Sequence, residues 1–211
     1  MEKVKLTYFG GNGRAGIIRA MLDYAKIPFE NEVIDFKDWP NIKNDDSRFE
    51  FHQLPILEIN GKKMSQSMAQ YIYLAKKLDL YGKNIDEQYI IDSLIASNED
   101  FIGLIHSMFR PETEDEKNNP DKYKQLFKEK ISFYLRVYEK RYNELGSKKY
   151  FLGDKISLAD FFIGTTVLDL CDIVKDEDVL TKNAPSLAKL CKSLKENELK
   201  GYYEKYYKPR Q

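Results

Sequence analysis

Between Lys3 and Phe9 polar and apolar residues alternate, with Val4, Leu6 and Tyr8 on one side and Lys3, Lys5 and Thr7 on the other, which is the two-residue period of a β-strand. The strand ends at Tyr8. After Gly10, Gly11, Asn12 and Gly13 the rhythm changes, and Ile17, Ile18, Met21, Leu22 and Ala25 recur at helical spacing up to Pro28. A second strand follows at 29–34, and the strand–helix–strand succession implies a right-handed crossover that leaves the two strands parallel. Residues 36–53 carry no period. Ile56, Leu57 and Ile59 then reach Asn60-Gly61, the dipeptide that supplies positive φ at both centres of a type I′ hairpin turn. An antiparallel strand is therefore expected near 62–64. Ser65 to Ser67 opens a helix bearing Met68, Tyr71, Ile72, Ala75 and Leu78.

The strand rhythm stops there. Ile90, Ile91, Leu94, Ile95, Phe101, Ile102 and Ile105 trace one long helix ending before Pro111, and the polar run 112–119 reads as a solvated connection. A second long helix runs through Tyr123, Leu126, Phe127, Ile131, Tyr134, Val137 and Tyr138, with Gly146 at its C′ position. Ser157-Leu158-Ala159-Asp160 places a hydroxyl N-cap three residues before an acid, with Ile156 and Phe161 placed to staple across it. Such a cap stabilises a helix start on the order of 1 kcal/mol. The pattern predicts an α/β domain over 1–80, in the thioredoxin-like order β-α-β-β-β-α, followed by an all-α domain over 86–211.

Composition narrows the partners. Lys plus Arg and Asp plus Glu stand at 34 each, so there is no basic excess to hold nucleic acid or an anionic membrane. No apolar run approaches the roughly 20 residues of a membrane span, and no secretory h-region precedes the first strand. A soluble, cytoplasmic protein is expected. Cys171 and Cys191 are the only cysteines, and with His52 and His106 they form no metal-ligand spacing, so two reduced thiols and no metal are expected.

Candidate chemistry gathers in the first domain. Tyr8 ends a strand before a glycine-rich turn, where α/β sheets present groups to ligands, although a core tyrosine with a satisfied hydroxyl fits the same pattern. The glycine stretch lacks the Gly-x-Gly-x-x-Gly arrangement of a dinucleotide site. Leu54-Pro55 before a strand fits either a cis bond that frees main-chain groups for a ligand or an ordinary strand start. Gln66-Ser67 offers free N–H groups and a hydroxyl to a carboxylate, or a plain N-cap. Glu99-Asp100 suits a solvated helix face.

In order, Tyr8-Phe9, Arg14-Ala15, Trp39-Pro40, Lys43, Gln53-Leu54-Pro55, Gln66-Ser67, Glu99-Asp100 and Ser157-Leu158-Ala159-Asp160 resemble the cytosolic glutathione transferases, and most closely their sigma class. The resemblance implies that the Tyr8 hydroxyl holds the sulfur of glutathione as a thiolate, tuned by Arg14. It implies that Trp39 and Lys43 bind the glycine carboxylate end, and that Gln53, Leu54 and Pro55 meet the cysteinyl part through the Leu54 main chain. Gln66 and Ser67 would hold the γ-glutamyl carboxylate, and Asp100 of a homodimer partner would meet the γ-glutamyl ammonium. Glutathione is then a co-substrate, no other cofactor is implied, and the second substrate is a small hydrophobic electrophile beside Phe9, Ile105, Phe109 and the aromatic tail Tyr202 to Tyr207.

There are departures. The loop from Lys43 to Gln53 is about three residues longer than the class pattern, and His52 stands where glycine is common. Ala96 replaces an acid, and Ser107 an aromatic residue, of the haematopoietic prostaglandin D synthases, which argues against prostaglandin isomerisation. A crystallin-like binding or structural protein is the non-enzymatic alternative, but no insertion in the helical half accompanies it here. Thiol–disulfide chemistry would need a cysteine at the end of the first strand, and Tyr8 stands there.

Overall fold

The structure is a computed structural model that describes residues 2–146, 149–176 and 178–208. The outer limits of the two expected domains, at 1 and 211, lie outside the described residues.

Strand β1 (Val4–Phe9) is central, flanked by β2 (Glu30–Ile34) and β3 (Ile56–Ile59), and β4 (Lys62–Met64) closes the order β2-β1-β3-β4. The first pair is parallel, with Tyr8 opposite Val33, and the other two are antiparallel. Parallel pairing follows from the intervening helix α1 (Gly16–Tyr24), entered through a 3₁₀ turn at Gly13–Ala15. Asn60 and Gly61 take φ of +53° and +84°, the backbone that a type I′ turn requires. Helix α3 (Ser67–Lys77) ends the first domain.

Two segments expected to be irregular carry short helices. Trp39–Ile42 forms α2 within the first loop. Glu114–Asn118 forms α6 in the polar connection, where Thr113 and Glu116 make a reciprocal capping box. The single helix expected before Pro111 is two, α4 (Ile85–Ala96) and α5 (Glu99–Phe109). At the break the Ser97 hydroxyl donates to the Leu94 carbonyl and meets the Tyr138 hydroxyl, each over 2.5 Å. A serine side chain that engages the carbonyl three residues back competes with the helical ladder.

Helix α7 (Pro120–Glu144) is followed at C′ by Gly146, as expected. The Ser157–Asp160 box is formed at α8 (Leu158–Phe161), which runs through a π-helical stretch, Phe162–Val167, into α9 (Leu168–Val174). Short α10 (Val179–Asn183) leads to α11 (Pro185–Glu196) and α12 (Lys200–Lys205). One continuous apolar core joins the halves, from Leu6, Ile18 and Leu22 to Phe162, Leu194 and Tyr202. Helix α1 packs against α3, α12 and the π-helical stretch, and every residue from Gly16 to Asp23 is buried. Among the described residues no helix is long and apolar enough to cross a membrane.

Candidate active site

Tyr8 sits half-buried near the end of the central strand, where the chain leaves the sheet. Its hydroxyl oxygen accepts the main-chain N–H of Arg14 at 3.2 Å. That approach depends on Gly13 at φ +39°, because a Cβ built there would lie 2.7 Å from the Tyr8 hydroxyl. Burial pushes the Tyr8 phenol up, against the Arg14 N–H and the positive charges of Arg14 and Arg19. A phenol so placed keeps its proton near neutral pH and can donate it in a hydrogen bond.

The Arg14 side chain does not reach the phenol. Its guanidinium grips Glu99 with two parallel bonds of 2.7 and 2.8 Å and donates to Ser67 Oγ at 3.1 Å. The Glu99 bonds hold it above its usual pKa. The bidentate fork is the geometry in which Arg–carboxylate pairing is strongest, and here it ties the 3₁₀ turn of the first domain to α5 of the second. The Tyr71 hydroxyl donates to the Arg14 carbonyl. Tyr8, Arg14 and Ser67 thus form one connected group, with Glu99 as a member that the sequence pointed to only as half of an acidic pair.

The other expected residues divide. The Leu54–Pro55 bond is cis, and among the described residues the Leu54 main chain makes no hydrogen bond. Gln66, at φ +66° and ψ 104°, donates its amide to Gln53 Oε1 at 3.3 Å. A non-glycine residue in that region costs of order 1–3 kcal/mol and persists where its surroundings impose it. Gln70 supports both from behind, donating to the carbonyls of Pro55 (2.8 Å) and Met64 (2.6 Å). Half-buried Trp39 packs edge-on to Phe9 and Phe49, with ring centroids 5.9 and 4.9 Å apart. Lys43 ends α2 with an exposed side chain that forms no ion pair among the described residues. His52, where glycine is common in the resembling class, has φ +49°. Asp100 is exposed and accepts the Tyr134 hydroxyl, apart from the Tyr8 group.

Three rings of the aromatic tail expected beside the electrophile are engaged in packing, while Lys208 at its end bonds to Asn12 through its main chain. Tyr202 is buried beneath Gly16, the Tyr203 hydroxyl donates to the Gly164 carbonyl at 2.6 Å, and Tyr206 packs on Phe29. Tyr202 and Tyr203 fasten α12 to α1 and to the π-helical stretch. Phe36, which showed no pattern in sequence, stacks on Phe9 at 4.1 Å beneath the Arg110 guanidinium. Arg19 was also missed: its fork donates to the carbonyls of Phe9 and Gly11. Among the described residues no cluster of His, Cys, Asp or Glu is arranged to hold a metal ion.

Comparison with known proteins gives this group a family. Residues 4–76 match the model of the glutathione S-transferase N-terminal domain, and 99–206 match that of the C-terminal domain. The class-mu 28 kDa glutathione S-transferase isozyme of Schistosoma japonicum is 34% identical over 197 residues, 90% of this chain and 91% of the relative. The hematopoietic prostaglandin D synthase of Homo sapiens is 33% identical over 163 residues, 77% of this chain and 76% of the relative. Among solved structures, the Fasciola hepatica sigma class GST superposes with a TM-score of 0.81 at 26% identity, covering 98% of each chain. The chain belongs to the glutathione S-transferase family and is a glutathione S-transferase enzyme with a thioredoxin-like first domain and a helical second one.

Proposed function

We propose that this enzyme conjugates glutathione to small hydrophobic electrophiles, with the Tyr8 hydroxyl holding the glutathione sulfur as a thiolate. The observation that carries this is the direction of the Arg14–Tyr8 hydrogen bond. The hydroxyl accepts from Arg14 N–H, so its single proton is left to donate elsewhere, as a thiolate needs. Burial keeps that proton on the phenol.

The remaining contacts follow the chemistry of a dianionic peptide with one ammonium. Ser67 and Gln66 at the N-terminus of α3 suit the γ-glutamyl carboxylate, and the unpaired main chain of Leu54 beside Pro55 and Gln53 suits the cysteinyl part. Trp39 and the exposed Lys43 suit the glycine carboxylate. Asp100, exposed at the start of α5, suits the ammonium of glutathione held by a second subunit, and Phe51, Ile85 and Tyr89 leave apolar surface exposed for a homodimer. Phe9, Phe36 and Phe109 offer apolar surface to the electrophile. Neither nucleic acid nor membrane enters this scheme. Detoxification in the cytoplasm is the role proposed, and two buried free thiols accord with a reducing compartment.

Prostaglandin isomerisation is the second candidate, because relatives bear that name. The Ser107 hydroxyl shares its one proton between Glu116, at 2.6 Å, and the Gly103 carbonyl, at 3.1 Å, and a serine offers no aromatic wall to such a substrate. The test is turnover of a chloronitrobenzene with glutathione beside a prostaglandin endoperoxide. Conjugation without isomerisation is expected, and isomerisation alone would overturn the proposal.

A further inference from the structure

Arg19, in the middle of α1, is only 2% exposed, yet all three of its hydrogen-bond acceptors are uncharged. Nη1 donates to the Gly11 carbonyl at 2.7 Å, Nη2 to the Phe9 carbonyl at 3.0 Å and Nε to Asn31 Oδ1 at 3.1 Å. No carboxylate pairs with it among the described residues. Burying a guanidinium without a counter-charge is costly, and neutral donors could hold the same two carbonyls. The charge itself therefore calls for a use. Its Cζ lies 5.8 Å from the centroid of the Tyr8 ring.

The charged and titratable groups around Tyr8 can be named element by element. From the 3₁₀ turn comes Arg14, whose charge is matched by its fork to Glu99 of α5. From α3 comes Tyr71, bound to the Arg14 carbonyl. From α9 comes Asp169, which accepts the Asn12 amide at 3.0 Å. Tyr202 of α12 and Tyr206, just past its end, act on Arg19. Arg14 is neutralised and Arg19 is not, so among the described residues Arg19 is the uncompensated cation beside Tyr8.

We propose that Arg19 is a positioning residue for thiolate formation: its fork fixes the Phe9–Gly11 turn that follows the tyrosine, and its unpaired charge stabilises the anion that Tyr8 holds. This rests on the assignment of Tyr8 to the glutathione sulfur. Burial lowers the pKa of Arg19 from its usual value, but a guanidinium stays protonated in proteins. Its field acts through low-dielectric interior, where one charge at this range is little screened. Asn31, across on β2, is what leaves it unpaired: an aspartate there would be isosteric and would complete an ion pair.

The test is Asn31→Asp, which keeps the bond to Nε and cancels the charge in place. The pKa of bound glutathione is followed by thiolate absorbance, together with the pH profile of kcat/KM for a chloronitrobenzene. The thiol pKa is expected to rise by about half to one unit and conjugation at pH 6.5 to fall about 3- to 10-fold, with Tm unchanged or raised. A purely structural Arg19 would leave both pH profiles in place, and superimposable profiles overturn the proposal. Tyr8→Phe in the same assay separates the two claims. If it shifts the thiol pKa and Asn31→Asp does not, only Arg19 loses its role. If Tyr8→Phe shifts nothing, the tyrosine assignment fails and this inference fails with it.

Discussion

The main-chain N–H of Arg14 donates to the Tyr8 hydroxyl over 3.2 Å, while the Arg14 guanidinium turns to Ser67 and Glu99. A backbone donor cannot swing away as a long side chain can, so the hydroxyl oxygen keeps this donor and its own proton is left for another partner. The arginine meets the tyrosine through its main chain and Ser67 and Glu99 through its side chain.

Tyr8→Phe keeps the ring and removes only the hydroxyl. A hydrogen bond to a charged group contributes roughly 1.5–3 kcal/mol, or about one to two pKa units for the bound thiol. The variant is expected to bind glutathione nearly normally and to conjugate roughly 10- to 150-fold more slowly at neutral pH. Much of the loss should return as pH rises towards the free thiol's pKa of about 8.5. Steady-state kinetics across pH 6–9 check this. An unchanged kcat with collapsed glutathione affinity would reduce Tyr8 to a binding residue.

Gly13→Ala tests the same geometry from the other side. The new methyl would stand 2.7 Å from the Tyr8 hydroxyl at a backbone φ of +39°, whereas a Cβ at Gly11 meets nothing within 4 Å. Displacing a reacting group by about 1 Å can cost on the order of 100-fold. Gly13→Ala is expected to lose about 10- to 100-fold in kcat, and Gly11→Ala to stay within about 2-fold. Equal losses in the two variants would show that the loop, not the hydroxyl's position, is what matters.

Much of this was legible because the signals are local. The alternation from Val4 to Tyr8, the Asn60-Gly61 turn and the Ser157–Asp160 box each complete their argument within a few residues, and each is formed. The break between α4 and α5 was not legible, because apolar spacing is helical on both sides and the interruption comes from a serine meeting Tyr138, 41 residues away. Arg19 was hidden for a related reason. Periodicity marks one apolar stripe on α1, but the helix is enclosed by α3, by α12 and by the π-helical stretch. An arginine flanked by Ile18 and Ala20 in so apolar a helix is the one hint it left. The aromatic tail looked like a ligand wall because tyrosines suit either use, and only tertiary packing assigns theirs.

Asp100→Ala addresses the proposed second subunit. In this chain the carboxylate is exposed and bonded to Tyr134, so truncation should cost little stability in the protomer. A contact made equally to ground and transition states affects binding alone. The glutathione KM is therefore expected to rise several-fold, with kcat within about 2-fold, while sedimentation shows a dimer at micromolar concentration. Full activity in a monomer would end the shared-site idea.

Asp160 gives a pH dependence whose sign runs opposite to most carboxylates. It is fully buried, accepts Phe151 N–H at 2.7 Å, Ser157 N–H at 2.8 Å and the Ser157 hydroxyl at 3.0 Å, and burial still raises its pKa to about 6. An unfolded aspartate titrates near 3.9. Between about pH 4 and 6 the folded state holds a proton that the unfolded chain has released, so the contribution of this group falls as pH rises through that window. A shift of about two units corresponds to roughly 3 kcal/mol, in order of magnitude. Asp160→Asn removes the titration and puts an amide N–H against one of these donors, so it should destabilise at every pH. Because only the wild type gains on acidification, the stability gap should widen from pH 7 to pH 4.5 by about 2 kcal/mol. Urea denaturation of both proteins at a fixed protomer concentration measures that gap. A gap that narrows on acidification would mean that the three donors outweigh burial and that Asp160 behaves as an ordinary stabilised carboxylate.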